Sequence, residues 1–186
     1  GWKLNAADGF RYKDGKKLSL QFMTTAGNKT RETVQTFLQG QWKAVGIEIN
    51  IKNEPARVFF GDTTRKRQYG AMAMYAWVSS PENTPRSTQH SSAIPTEKNG
   101  WSGQNYPGYS NKKVDEIIEK IEVEFDAKKR AELAHEFLKH YTDDVPVIPL
   151  YYRADNAVIP IGLKNFRLPG HQFAETNEIE TWTLQK

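Results

Sequence analysis

Residues 18–51, LSLQFMTTAGNKTRETVQTFLQGQWKAVGIEINI, decide the fold. Leu18, Leu20 and Phe22 alternate with Ser19 and Gln21, the period-two pattern of a half-buried strand. Asn28 or Thr30 is placed to cap a helix, and Glu32 falls in its first turn, where a carboxylate suits the helix dipole. Val34, Phe37, Leu38, Gln41 or Trp42, and Val45 then recur at three-four spacing, which predicts an amphipathic helix ending at Gly46. Ile47, Ile49 and Ile51 alternate again as a second strand. Strand, helix and strand joined this closely make a βαβ unit with parallel strands.

The flanking sequence extends that unit. Upstream, Asp14-Gly15 marks a turn. Downstream, Pro55 can open a short helix. Residues 71–77, AMAMYAW, are apolar almost throughout and predict a third strand covered on both faces. From Val78 to about Ser110 the chain is rich in Ser, Asn, Thr, Pro and Gly, with aromatics at Trp101, Tyr106 and Tyr109. A loop this long inside a compact domain is usually functional, and the interleaved aromatics predict that it is ordered and packed. Two helices follow. One is capped by Asn111 and carries Val114, Ile117, Ile118 and Ile121; the other is capped by Asp126 and carries Leu133, Ala134, Phe137, Leu138 and Tyr141. Their short join predicts an antiparallel hairpin. Pro146, Pro149 and Pro160 limit the next stretch to edge strands or a crossing linker, and IETWTL, residues 179–184, reads as a late strand. The class is α/β, and no internal repeat is visible.

Composition narrows the function classes. The 186 residues are 38% hydrophobic and 12% aromatic, with a mean hydropathy of −0.72, which reads as a folded domain with a very polar surface or cleft. There is no cysteine, so disulfides, thiolate catalysis and cysteine zinc sites are excluded. The net charge is +4, and the densest basic cluster, Arg65-Lys66-Arg67, is short; it reads as a solvated helix end or turn and not as a nucleic-acid surface. No run is apolar enough to span a bilayer as a helix. The opening GWKLNAADGFRYKDGKK reads as the middle of something longer.

No nucleophile elbow, P-loop or dinucleotide fingerprint is present. His135 and His140 are five apart on a helix, whereas a zinc pair wants four, so no metal or cofactor is expected. The carboxylate pairs Asp115/Glu116, Glu122/Glu124 and Asp143/Asp144 sit on polar helix faces or a helix end and read as solvation and capping. In open α/β sheets, ligands gather beyond the carboxyl ends of the strands. Three loops meet there: TTAGNK, NEPAR and WVSSPENTP. They offer an indole, hydroxyls, amides and an Arg, which hold ligands and supply no nucleophile–base pair. For Trp77 a core position at the strand end is an equal alternative.

The order of these pieces resembles the C-terminal lobe of bacterial extracellular solute-binding proteins of family 5, the peptide, oligopeptide and nickel receptors of ABC importers. The resemblance rests on the Gly1-Trp2 opening, DGFRYKDGKKL, KAVGIEINI, the strand closing in Trp77, NYPGYSNKKVDEIIEK, and RAELAHEFLKHYTDDVPVIPLYY. It covers most of the chain in order. It implies a periplasmic-binding-protein-like (type II) lobe, a mixed sheet flanked by helices with a long cleft-side loop, over residues 1–147. Residues 148–186 would then be a crossover and tail packing on an N-terminal lobe. It further implies a non-enzymatic receptor, periplasmic or extracellular, held at the membrane through its importer or a lipid anchor. Its partners would be a small-molecule or peptide ligand, the importer's membrane permease and the N-terminal lobe.

On that resemblance the ligand contacts are Trp77, Ser79, Ser80 and Asn83, then Thr24, Thr25 and Trp101, with Trp77 and Trp101 equally suited to packing. Peptide-binding members commonly place an Asp where Ser80 stands, and some dipeptide receptors place an Arg where this chain reads Met23-Thr24-Thr25. A hydroxyl in place of a carboxylate forfeits a charge-assisted hydrogen bond, so a blocked, longer or modified peptide fits better than a short zwitterionic one. Two alternatives stay open. A hydrolase acting on peptide or sugar would bring a carboxylate pair or a Ser–His contact into the cleft. A non-transport interaction module would plug the cleft with its own side chains.

Overall fold

The computed structural model describes residues 1–78, 84–154, 156–169 and 174–185. The chain opens with a small antiparallel sheet of β1 (Lys3–Leu4), β2 (Arg11–Lys13) and β3 (Lys16–Lys17). The β2–β3 turn is Asp14-Gly15, as its sequence predicts, with φ of 49° and 75°. Positive φ at both central residues gives the twist a two-residue hairpin requires.

The βαβ unit follows: β4 (Ser19–Met23), α1 (Lys29–Ala44) and β5 (Glu48–Ile51). With β6 (Met72–Ala73) they form a sheet of order β5-β4-β6 in which β4 pairs parallel to both neighbours. Asn28 is the cap of α1, its side chain accepting the Arg31 N–H at 3.1 Å. Gly46 ends the helix at φ 82°; a Cβ there would stand 2.7 Å from Leu4 Cδ1, so this turn requires glycine on two counts.

The buried face of α1 differs from the predicted one. Phe37 and Val45 are exposed, whereas Gln35 is 1% exposed. Val34, Leu38 and Trp42 pack on the cluster of Phe22, Ile49 and Met74. At 100° per residue, the stripe holding Val34, Gln35, Leu38 and Trp42 has its centre roughly 120° around the helix from Phe37. Gln35 is buried because it is bonded throughout. Its Nε2 donates to the Phe22 carbonyl and to Asn53 Oδ1, both at 2.9 Å, and its Oε1 accepts from Asn53 Nδ2 at 2.9 Å. Asn53 Oδ1 also accepts the Thr24 N–H at 3.0 Å, and the Thr24 hydroxyl donates to the Met74 carbonyl at 2.8 Å. One polar network thus joins α1 and the carboxyl ends of β4, β5 and β6.

The third strand is shorter and barer than its apolar sequence predicts. Its ladder covers Met72–Ala73, extended by the Met74 N–H bonding to the Met23 carbonyl. Met74 is buried, while Ala76, Trp77 and Val78 are exposed, because past Met74 the chain leaves β4. After β5, α2 (Ala56–Val58) starts behind Pro55 and runs into a wider helical turn at Phe59–Thr63.

The long loop is ordered where it is described, with α3 (Arg86–Gln89) and short turns at Ser91–Ala93 and Glu97–Asn99. It leads into α4 (Lys112–Val123) and α5 (Ala127–Asp144), capped by Asn111 and Asp126 as expected. Val114, Ile117, Ile118, Ile121 and Phe137 form a second core, flanked by Tyr109, Leu133 and Tyr141. Leu138, predicted on this face, is half exposed. Residues 145–154 form no strand: Val145 is left-handed at φ 44°, Pro146 and Val147 bend, and the rest has no ladder partner. Of the predicted late strand, only β8 (Thr183–Leu184) pairs, with β7 (Leu163–Lys164); Glu175–Thr181 coil into helical turns.

Two outcomes follow from this packing. Gln35→Ala leaves the half-buried Asn53 amide short of partners and should destabilise the protein by about 1–2 kcal/mol, read as a lower urea midpoint. Phe37→Gln should change it by less than about 0.5 kcal/mol; a larger loss would restore Phe37 to the core. At the loop's end, Tyr109 Oη donates to Asp144 Oδ2 at 2.6 Å, and Asn111 Nδ2 donates to the same oxygen at 2.8 Å. These bonds hold the Asp144 carboxyl below its ordinary range, the tyrosine contributing most. A depressed folded-state value stabilises above the unfolded carboxyl pKa, about 4, and the gain is lost as pH falls through the folded value. Tyr109→Phe should therefore move the Asp144 titration upward by carbon NMR; an unmoved titration would contradict this bond.

Candidate functional site

A cavity of about 680 Å3 runs along β6 and past its carboxyl end. One side is β6 and its continuation to Trp77, with α1 from Thr30 to Trp42; the other includes segment 146–154. The volume lies within the range of pockets that enclose sizeable ligands.

Tyr75 is the hub of an aromatic wall. Its ring meets Phe59, Phe60, Trp77 and Tyr106 edge-on at centroid distances of 6.3, 6.0, 5.6 and 6.1 Å. Trp77 stacks on Tyr106 at 6.0 Å with an interplanar angle of 29° and remains 49% exposed. So one part of the indole is fixed by packing while much of its surface stays open beside the cavity. Burial pushes the Tyr75 and Tyr106 hydroxyls up from their ordinary values, so both remain neutral phenols.

The basic cluster Arg65-Lys66-Arg67 is not simply a solvated turn. Arg65 donates through Nε to the Trp101 carbonyl at 3.0 Å and through Nη2 to the Gly100 carbonyl at 3.3 Å. Arg67 donates to the carbonyls of Tyr106 at 3.0 Å and Pro107 at 3.4 Å, and the Tyr69 hydroxyl donates to the Tyr106 carbonyl at 2.9 Å. The cluster staples the long loop's backbone beneath the aromatic wall. Gly108, at φ 74°, permits the approach, since a Cβ there would stand 2.0 Å from Arg67 Nη2. Asn105, fully buried, bonds the His90 and Tyr109 carbonyls at 3.0 and 2.8 Å and holds the loop from within.

The sequence-derived candidates fall into three groups. Trp77 lines the cavity. Thr24 and Thr25 are buried, with the Thr24 hydroxyl bonded to the Met74 carbonyl and the Thr25 hydroxyl accepting from Arg31 Nη1 at 2.9 Å. Trp101 is half-buried, at φ 59°, where its carbonyl takes the Arg65 bond, and it is not among the cavity's lining residues. Ser79, Ser80 and Asn83 lie outside the described residues. The cavity adds Tyr75, Gln104, Tyr151, Arg31 and Arg153. Tyr75 was legible as the residue two before the strand-end Trp; the others arrive from segments whose convergence no local pattern announces.

A Ser–His contact does exist. Ser92 Oγ lies 2.7 Å from His90 Nδ1, and His90 Nε2 lies 3.5 Å from Glu119 Oε1. His90 Nδ1 also accepts the Ser92 N–H at 3.1 Å, so the imidazole caps the turn Ser91–Ala93. Neither residue lines the cavity. Among the described residues no group of three His, Cys, Asp or Glu side chains could hold a metal ion. No helix there is long and apolar enough to cross a membrane.

Residues 1–99 match the family described as bacterial extracellular solute-binding proteins, family 5 Middle. Oligopeptide-binding protein AppA of Bacillus subtilis (strain 168) is 29% identical over 187 residues, covering 100% of this chain and 33% of that protein. The structure of AppA from Bacillus subtilis in complex with a nonapeptide superposes with a TM-score of 0.80 at 28% identity, covering 100% of this chain and 35% of that one. An oligopeptide-binding protein from Thermus thermophilus, complexed with a pentapeptide, gives 0.78 at 28% identity, over 89% and 30% of the two chains. The neighbours share the type II binding-protein architecture, and this chain spans about a third of their length.

Arg67→Ala removes two charge-assisted bonds to the loop backbone. Amide exchange around residues 100–108 should quicken about tenfold or more, with little change in α4. Unchanged exchange would show that Asn105 and the aromatic contacts hold the loop without the staple.

Proposed function

The chain belongs to the bacterial extracellular solute-binding proteins of family 5, and from that premise we propose that it forms one lobe of a two-lobed receptor enclosing a peptide or peptide-like solute for an ABC importer. The observation that carries this reading is the half-exposed Trp77, fixed against Tyr75 and Tyr106 at the edge of a cavity that passes the carboxyl end of β6. An indole held from one side and open on the other is a platform for an apolar or planar ligand group. Closure of the two lobes would bury that group and report the loaded state to the permease.

In this reading residues 1–147 are the ligand-binding lobe and residues 148–186 cross to the N-terminal lobe. The exposure of Ile148, Tyr152, Val158 and Ile161 supports it, since four large apolar side chains on an extended segment favour a covering partner. The intact receptor then works outside the cytoplasmic membrane, in the periplasm or at the cell surface, associated with the membrane through its importer or a lipid anchor. Trp77, Ser79, Ser80 and Asn83 are the principal proposed contacts. Thr24 and Thr25 act through the backbone frame they hold, and Trp101 through the loop. The open cavity favours binding over an interaction module with a plugged cleft. The capping role of His90, away from the cavity, favours it over a hydrolase.

The test is calorimetric titration of the full-length receptor with N-terminally acetylated and free-amine pentapeptides and nonapeptides, the lengths held by the two similar oligopeptide-binding proteins. Micromolar or tighter binding is expected, strongest for the acetylated or longer peptides. Trp77→Ala should weaken it by roughly tenfold, the scale of a lost aromatic contact. Absence of binding by every peptide would reject the reading, and preference for short free-amine peptides would reject its Ser80 element.

A further inference from the structure

Gln89 is buried at the cavity wall with an acceptor left over. It is 8% exposed and lines the cavity, yet its Oε1 meets no hydrogen-bond donor among the described residues. Two other buried amides are treated differently. Gln35 and Asn105 are bonded at both ends of their amide groups, and neither lines the cavity. Among the described residues the other buried side-chain atom without a hydrogen bond is His90 Nε2, which faces Glu119 Oε1 at 3.5 Å and is not at the cavity.

Local structure keeps Gln89 in place. The helix that carries it, α3, is anchored to α4 on either side of it. Arg86 donates through Nε to Glu122 Oε2 at 2.7 Å, and the Ser91 N–H donates to Asp115 Oδ1 at 2.9 Å. The Gln89 N–H closes its own turn on the Pro85 carbonyl at 2.8 Å. Arg86 and His90, four apart, both reach carboxylates of α4, while Thr88 and Gln89 line the cavity. A buried acceptor without a donor is costly, and the anchors stop the residue from swinging out to bulk water as a whole. The terminal amide can still turn, because its last torsion is broad and roughly two-fold. The oxygen is therefore free to rotate toward a donor, and at the cavity wall that donor comes from what the cavity encloses.

We infer that Gln89 is a subsite that accepts a hydrogen bond from an N–H group of the ligand. The inference rests on reading this cavity as the ligand cleft, and it deepens that reading by naming the group received. An uncharged acceptor suits a neutral donor. A peptide offers one from its backbone or from the carboxamide of an Asn or Gln side chain, which can bond the Gln89 amide at both ends. The chemistry at Gln89 is the same for either source.

The experiment uses the full-length receptor and acetylated nonapeptides of alanine carrying one Phe and one Gln, the Gln placed at each remaining position in turn. One series replaces that Gln by Met, which removes the carboxamide at nearly constant length. A second replaces each backbone N–H in turn by an ester oxygen. All are titrated calorimetrically into the natural receptor and into Gln89→Met and Gln89→Leu. Removing the N–H that Gln89 receives should weaken binding to the natural receptor about tenfold. The variants should lose about the same factor for the parent peptide and little more for the peptide lacking that N–H, since the pair is already broken. This coupling, and not the loss alone, identifies the source as backbone or side chain. The urea midpoints of both variants should hold or rise, because an apolar side chain leaves no buried acceptor unpaired. Lower midpoints in both variants, unaltered affinities in both, or a loss that is the same whichever N–H the peptide carries would overturn the subsite while leaving peptide binding intact. If no peptide binds the natural receptor, both readings fall.

Discussion

The amide pair of Gln35 and Asn53 is the constraint on which the site depends. Each side chain gives the other a hydrogen bond, and their remaining groups reach the Phe22 carbonyl and the Thr24 N–H. A parallel sheet ends in backbone groups that have lost their ladder partners, and buried amides cannot be left unpaired. Here Asn53 supplies the missing partner of the Thr24 N–H at the end of β4, Gln35 gives the Phe22 carbonyl a second donor beside the Lys52 N–H, and the Thr24 hydroxyl bonds the Met74 carbonyl. The three strands therefore stop in fixed relation. Met74 is the last residue tied to that frame; Tyr75 and Trp77 leave it in a set direction.

This divides the polar residues at the strand ends into two roles. Thr24 and Thr25 read from sequence as open hydroxyls, but their oxygens are committed to the frame. Binding capacity moves outward, to groups that the frame positions without consuming. The Trp77 indole is held by rings, and the Arg31 guanidinium by one bond to Thr25. The loop beneath the wall is fixed by the same economy of donors. Arg65 and Arg67 spend their N–H groups on four backbone carbonyls that no regular structure satisfies. A surface cluster of charge thus serves as a substitute for a sheet ladder.

The βαβ unit was legible because its signals are local: alternation in Leu18–Phe22, the Asn28 cap, the Gly46 stop. The α4–α5 hairpin was legible for the same reason. Phe37 was misplaced because three-four spacing admits two overlapping stripes, one through Val34, Phe37 and Gln41 and one through Val34, Leu38 and Trp42. What chooses between them is Gln35, a polar residue that marks a buried face only once Asn53 is known to lie opposite. The Arg65–Arg67 cluster was misread because its partners are 35 to 40 residues away. Order along the chain, from the Gly1-Trp2 opening to the proline-rich Pro146–Pro149 stretch, carried the family where individual pieces did not. Ser79, Ser80 and Asn83, the sharpest readings from the loop, fall where the described residues pause.

The composition of the cavity bears on what selectivity it can exert. Stacking on Trp77 and contact with phenol rings discriminate weakly between side chains, because every apolar or planar group gains from burial there. The lining phenols Tyr69, Tyr75 and Tyr141, kept neutral by burial, add hydrogen-bonding capacity without adding charge. Against that permissive wall, the charged side chains among the described lining residues are Arg31, on the first turn of α1, and Arg153, on the facing segment. The Gln35–Asn53 frame ties the first turns of α1 to the end of β4, and Trp77 follows from β6 on the same frame.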